Sequence, residues 1–179
     1  KLPKHRYFIE KRMENLTVTK SDALTTVSKN LTTIIGNNPD KFRVIYNGFD
    51  PNDIAELNIE VDSDKFIIIH TGKLAVTQNP VKLWKSLSRL GQRIPDFLQY
   101  LVIKFIGNID QSIIDSINEY GIADQLQLID YLPHKEIFPH IAKASLCLVV
   151  NPQTKNNLGI IPAKFFEYMA LNRYSIVIS

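Results

Sequence analysis

"KFIIIHTGKLAVTQNPVKLWKSLSRLGQRI", residues 65–94, sets the architecture of the chain. Phe66 to Ile69 are apolar without alternation. A strand with one wet face would read apolar, polar, apolar, so this one is expected to be buried on both faces. After Pro80 the spacing changes: Val81, Leu83, Trp84, Leu87 and Leu90 fall on one side of a helix. Strand, loop and helix in that order form a unit that returns the chain to start a parallel neighbour.

The unit recurs downstream. "YLVIKFIG" (100–107) precedes "DQSIIDSINEYG" (110–121), where Ile113, Ile114 and Ile117 share a face and Gly121 suits the helix end. "LQLI" (126–129) precedes "PHKEIFPHIAKA" (133–144), and "LCLVV" (146–150) precedes "NNLGIIPAKFFEYMALNR" (156–173). "YSIVIS" (174–179) is a further strand. The expectation is an α/β fold with a doubly wound parallel sheet, Rossmann-like, of five strands from about residue 64 onward. Two shorter apolar runs, "ALTTV" (23–27) and "RVIY" (43–46), stand upstream, with a helical stretch between them. "YNGFDPND" (46–53) has the Asn-Gly and Asp-Pro pairs of a linker. The chain starts at a Lys and ends on a strand without a closing helix, so it is expected to be a piece that stops partway through a domain.

Composition narrows the function. The 179 residues are 45% hydrophobic and 22% charged, as in an ordinary globular protein. The net charge of +3 is small and its lysines and arginines are scattered, which speaks against a nucleic-acid groove. No apolar run approaches the ~20 residues that span a bilayer. The single cysteine, Cys147, lies in an apolar strand and excludes a disulfide framework, in keeping with a reducing, cytoplasmic setting. The seven glycines form neither G-x-G-x-x-G nor a P-loop, and no G-x-S-x-G elbow occurs. The four histidines show no metal-ligand spacing, so no protein-built metal site is expected. His70, at the end of a buried strand, is expected to be a structurally paired histidine.

Ligands of open α/β sheets bind outside the carboxyl ends of the strands, so those ends are the candidate site. At the first, Gly72 allows close approach of backbone N–H groups to an anion and Lys73 adds positive charge. At the second, Tyr131 and Leu132 stand before a helix opened by Pro133 and His134. At the third, Pro162 suits a first helical position, and Lys164 sits in a first turn where a helix favours negative charge. Helical spacing puts Phe165, Phe166, Met169 and Ala170 on the expected core face, with Lys164, Glu167 and Tyr168 opposite. A phosphate at the helix start would account for Lys164, and Glu167 one turn on would accept hydroxyl protons from a ribose.

In sequence order, "SDALTTVSKNLTTIIG" (21–36), "KFRVIYNGFDPND" (41–53), "FIIIHTGKL" (66–74), "VIKFIGN" (102–108), "LQLIDYLPHKEIFPHIAKASLCLVV" (126–150) and "LGIIPAKFFEYMALNRYSIVIS" (158–179) resemble retaining, nucleotide-sugar-dependent glycosyltransferases of the GT-B family 4. The resemblance implies that residues 1–50 are the end of an N-terminal acceptor domain with the interdomain linker. Residues 51–179 would be the C-terminal nucleotide-sugar-binding domain, incomplete at its end. It implies donor contacts at Gly72, Lys73, Leu132, His134, Gly159, Ile160, Ile161, Lys164 and Glu167, with Lys73 and Lys164 stabilising the leaving group. Catalytic groups beyond these would lie in the N-terminal domain. Glu167 matches the second Glu of the family's Glu-x7-Glu signature, whereas Gly159 occupies the place of the first. The second basic residue of the phosphate site would fall at Gln78 or Asn79, both uncharged.

The implied activity is transfer of a sugar from a nucleotide diphosphosugar, UDP-linked before GDP-linked, in polysaccharide or glycoconjugate synthesis. The acceptor would be a sugar or lipid-linked hydroxyl. No cofactor or protein-bound metal is implied, and peripheral membrane contact would come through the N-terminal domain. A GT-B sugar-nucleotide epimerase and a non-catalytic nucleotide-sugar-binding partner are the alternatives.

Overall fold

The computed structural model describes residues 3–35, 39–57, 60–152, 159 and 161–179. They divide into two compact units, one reaching to Asn47 and including Gly159 and Ile161, the other running from Gly48 and containing the rest.

The first unit starts with helix α1 (Lys4–Lys20), which buries no residue. Its apolar side chains, among them Tyr7, Phe8, Ile9, Met13 and Leu16, are exposed and form no single stripe. That lack of periodicity is why the helix is not evident in the sequence. Its last carbonyls are met from outside: the Lys41 ammonium donates to Val18, Thr19 and Ser21 at 3.4, 3.1 and 3.0 Å. A cation is favoured at that end of a helix. Strands β1 (Leu24–Thr26) and β2 (Phe42–Val44) pair in parallel around helix α2 (Lys29–Ile35).

The second unit is a five-stranded, all-parallel sheet. Its strands are β3 (Phe66–Thr71), β4 (Leu101–Ile106), β5 (Leu126–Ile129), β6 (Leu146–Val150) and β7 (Ser175–Ile178), in the order β5-β4-β3-β6-β7. All five lie where the apolar runs predict them. The helices between them are α3 (Val81–Arg93), the single turn α4 (Phe97–Tyr100), α5 (Gln111–Glu119), α6 (His134–Ala142) and α7 (Ala163–Ala170). Strand order reverses at β3, which pairs with β4 on one side and β6 on the other. The crevice at such a reversal is where doubly wound sheets bind ligands.

Burial on both faces explains the unbroken apolar strands. Ile68, Ile103, Phe105 and Leu148 pack with Trp84 and Leu87 of α3 and Ile113 and Ile117 of α5. On the other face Ile67, Ile69, Val102, Cys147 and Val149 pack with Phe138 and Ile141 of α6 and Tyr168 of α7. Cys147 has no solvent contact, and burial pushes its thiol up to about 12. No helix of the described residues is long and apolar enough to cross a membrane.

Candidate functional site

The loop after β3 turns at Gly72, whose φ of +90° is a left-handed conformation that glycine adopts without strain. Its N–H donates to the Ile106 carbonyl at 2.7 Å, and the Leu74 N–H donates to Asn108 at 3.0 Å. The loops after β3 and β4 are thus zipped side by side. A second glycine makes this possible. Gly107 also has a left-handed φ, +117°, and a side-chain carbon there would stand 2.8 Å from the Gly72 carbonyl oxygen. Gln78 and Asn79, at the positions where a second basic residue would fall, serve the fold instead. Gln78 donates to the Val150 carbonyl at 2.7 Å, and Asn79 accepts from the Trp84 indole at 2.9 Å. Gly72 and Lys73 are exposed.

Helix α7 faces the sheet differently from the pattern read in its sequence. Tyr168 and Leu171 are completely buried, whereas Met169 is 58% exposed. The inward positions are Lys164, Tyr168 and Leu171, spaced i, i+4, i+7, and Phe165 packs beside them. Methionine is the more apolar of the two residues, so the hydrophobic pattern favours the Met169 face, whereas the packing selects Tyr168. The Tyr168 hydroxyl can enter because Thr71 satisfies it, through the backbone N–H at 3.2 Å and the side-chain hydroxyl at 3.0 Å. Pro162 is the residue before the first helical turn, not its first member.

Lys164 therefore points inward, to the C-terminal end of β3. Its ammonium donates to the Thr71 carbonyl and lies 3.2 Å from His70 Nε2. A Cβ at Gly72 would stand 3.4 Å from the same Nζ. Burial pushes this lysine down to about 8, and the neighbouring Glu167 charge opposes the shift. His70 is buried and is pushed down to about 4, first by burial and then by the Lys164 charge, so it is neutral. Its Nδ1 lies 2.9 Å from the Leu148 carbonyl, which can only accept, so Nδ1 carries the proton. Nε2 is then a lone-pair acceptor for Lys164. The Lys73 carbonyl, 3.3 Å from Nε2, is not a hydrogen-bond partner in that tautomer.

Glu167 turns to a different histidine. Its carboxylate lies 3.1 Å from His134 Nε2, while His134 Nδ1 lies 3.5 Å from the Asp53 carboxylate. His134 begins α6, as the sequence predicts, and its ring stands edge-on to Phe138. Leu132 is half-buried against the same core face.

The structure thus brings Gly72, Lys73 and Lys164 together at one strand end, and joins His134 to Glu167 beside it. Gly159 belongs to the first unit: its carbonyl accepts from the Ser28 hydroxyl at 2.7 Å. Its φ is +88°, and a Cβ there would meet Ser28 Oγ at 2.9 Å. Ile161 groups with the same unit, and Ile160 lies outside the described residues. Asp53, His70, Tyr168 and Gly107 are site residues that the sequence reading did not assign. Their partners stand between 35 and 97 residues away, a separation that no local spacing encodes. Among the described residues, no group of three or more His, Cys, Asp or Glu side chains is arranged to hold a metal ion.

No family model matches the sequence, and no curated protein matches it significantly. Solved structures do match its fold. The lipopolysaccharide outer core galactosyltransferase WaaB in its apo form is 16% identical, with a TM-score of 0.63 over 90% of this chain and 45% of that one. HepE of Anabaena, in complex with UDP and glucose, is 16% identical at a TM-score of 0.63, over 93% of this chain and 47% of that one. A mutant of TarM from S. aureus, in complex with fondaparinux, alpha-GlcNAc-glycerol and UDP, is 12% identical at a TM-score of 0.67. That match covers 94% of this chain and 32% of that one. The chain spans less than half the length of these proteins. Its Rossmann-like α/β architecture is that of a GT-B glycosyltransferase domain.

Proposed function

We propose that the chain carries the donor-binding domain of a retaining glycosyltransferase of GT-B family 4, with the end of its acceptor domain in residues 1–50. The observation that carries this reading is Lys164. A helix start is a poor place for a cation, and this one sits against the Gly72 turn at the strand reversal, where an anionic ligand would be received. Solved structures of the same fold with UDP bound support it.

In this reading Lys73, Lys164 and the backbone at Gly72, Ile160 and Ile161 receive the diphosphate. Glu167 holds the ribose hydroxyls, and Leu132 and His134 read the base. The donor is UDP-linked before GDP-linked. During transfer the bond from the anomeric carbon to the diphosphate oxygen breaks, and that oxygen leaves with the electron pair. The acceptor hydroxyl oxygen forms the new bond on the same face and passes its proton to the departing diphosphate oxygen. The lysines stabilise the charge developing on the leaving diphosphate. The place of action is the cytoplasm and the product a polysaccharide or glycoconjugate built on a sugar or lipid-linked acceptor. Peripheral membrane contact would be made through the acceptor domain.

Gly159 favours one rival. Its left-handed backbone supplies no carboxylate to the sugar, as expected of a non-catalytic partner that keeps a nucleotide-sugar pocket. Thermal-shift measurements with UDP, GDP, ADP and their sugars test binding, since a ligand held only by the folded state raises the melting temperature. A rise with UDP, weakened by Lys164→Ala, is expected; no rise with any nucleotide would refute the reading. Assays of the whole protein with a panel of nucleotide-sugars then separate transfer, epimerisation and binding alone.

A further inference from the structure

His70 is the buried group for which the donor-site reading has no use. It stands on β3 next to the loop that begins at Gly72, with its ring edge-on to Phe105 at 6.3 Å. A histidine there could be only a packed ring. Its hydrogen bonds indicate more. The Leu148 carbonyl on the neighbouring strand fixes the proton on Nδ1 and leaves the Nε2 lone pair 3.2 Å from the Lys164 ammonium.

We propose that His70 is a positioning residue: through Nε2 it holds the Lys164 ammonium, protonated and aimed at the Gly72 turn, ready for the diphosphate of a nucleotide-sugar. The identity of that ligand rests on the function proposed above; the hold of His70 on Lys164 does not.

Among the described residues the ammonium has two acceptors, the Thr71 carbonyl and His70 Nε2. Both belong to β3, on either side of the last strand peptide. Together they direct Nζ to the turn and leave its third proton for an incoming oxygen. Neither acceptor is an anion. A carboxylate there would anchor the lysine as firmly, but it would also cancel the charge and repel a phosphate. A neutral imidazole holds the cation without neutralising it.

The groups facing Lys164 bear this out. β3 presents His70 and the Thr71 carbonyl, and β6 stands behind the ring with the Leu148 carbonyl. On its own helix the facing charge is Glu167, whose carboxylate is bonded to His134 of α6. Burial works against the ammonium, lowering the lysine to about 8. An acceptor at Nε2 resists that loss, so its removal makes Lys164 give up its proton more readily. Diphosphate binding needs the proton in place, so affinity should weaken as pH rises through the Lys164 midpoint.

Three measurements on the full chain test the proposal. In wild-type protein, nitrogen NMR of the imidazoles should show His70 neutral, protonated at Nδ1 and bare at Nε2. An Nε2-protonated His70 would overturn it without any mutant. The second is the Lys164 midpoint, read by NMR of the carbon-13- and nitrogen-15-labelled but chemically unmodified lysine side chains in wild type, His70→Leu and His70→Gln. Loss of one net hydrogen bond predicts a midpoint lower by about one pH unit in His70→Leu. His70→Gln, whose amide oxygen can accept, should restore it. UDP titrated by calorimetry across the same pH range should lose affinity earlier in His70→Leu than in wild type. A role in packing alone would lower the melting temperature of His70→Leu and leave both midpoints where they were; that result would overturn the proposal. If the NMR midpoint moves while UDP binds to no form of the protein, the hold on Lys164 stands and the donor-site reading falls.

Discussion

His70 and His134 each bond to a charged side chain of α7, at Lys164 and Glu167, less than one helical turn apart. Their surroundings differ in every other respect. His70 is buried, neutral and bonded to the Leu148 strand carbonyl, and its partner is a cation that has no carboxylate in hydrogen-bonding contact among the described residues. His134 is 58% exposed at its side chain and lies between two carboxylates, Asp53 and Glu167. One histidine holds a half-buried cation without neutralising it; the other lies beside two carboxylates at the edge of water. The first arrangement costs folding energy and suits an anion. The second is nearly neutral energetically and suits a ligand that exchanges hydroxyls for the histidine.

The largest effect should come from removing the half-buried cation, Lys164. A lysine pushed down to about 8 in the fold but ordinary when unfolded releases its proton more easily in the folded state. Below pH 8 both states are protonated and the full burial cost is present. Between about 8 and 10.5 the folded state binds fewer protons, so stability rises with pH. Lys164→Met should abolish that rise, raising stability at pH 7 by up to about 3 kcal/mol relative to wild type. Urea unfolding of both proteins at several pH values measures the difference. A wild-type curve parallel to that of Lys164→Met would mean that the ammonium is not desolvated.

Tyr168→Phe comes next. It leaves the Thr71 N–H and hydroxyl without their shared partner inside the core, which should cost about 1–3 kcal/mol in denaturant unfolding. The carbonyl of the same Thr71 receives Lys164, so this change also tests whether the buried cluster acts as one unit. His134→Ala removes a mostly exposed side chain with its contacts to two carboxylates and its edge-on packing on Phe138, so its stability cost should be about 1 kcal/mol. Its consequence should be read in UDP affinity instead. A stability loss as large as that of Tyr168→Phe would erase the contrast between the two histidines. Met169→Ala, at an exposed position on α7, should stay within about 0.5 kcal/mol in the same unfolding assay, whatever its place in the hydrophobic pattern.

The contrast also explains what the sequence could tell. The sheet was legible because strands such as Phe66–Thr71 and Leu146–Val150 are buried on both faces and carry their burial as continuous apolar runs. Lys164 and Glu167 were legible as oddities of charge on one helix. Their orientation was not, because Tyr168 looks polar until the Thr71 hydroxyl and N–H that satisfy it are in view. His70 was legible as a paired buried histidine, but its Lys164 partner is 94 residues away. Helix α1 left no trace because its apolar residues follow no period. Gly159 read as a missing carboxylate. Its left-handed φ and the contact at Ser28 show that a side chain of any kind would be strained there.

Cys147 has a practical consequence for anyone who wishes to watch this site. It is the chain's single thiol, it sits inside β6 without solvent contact, and it is pushed up to about 12. Maleimides and iodoacetamides need a reachable thiolate, so they should pass it by at neutral pH. A cysteine placed at Tyr131, 82% exposed beside the start of α6, would then be the one labelled position without any engineering of the background. A fluorophore there would report nucleotide arrival within a few residues of His134, in a protein whose interior chemistry had not been altered.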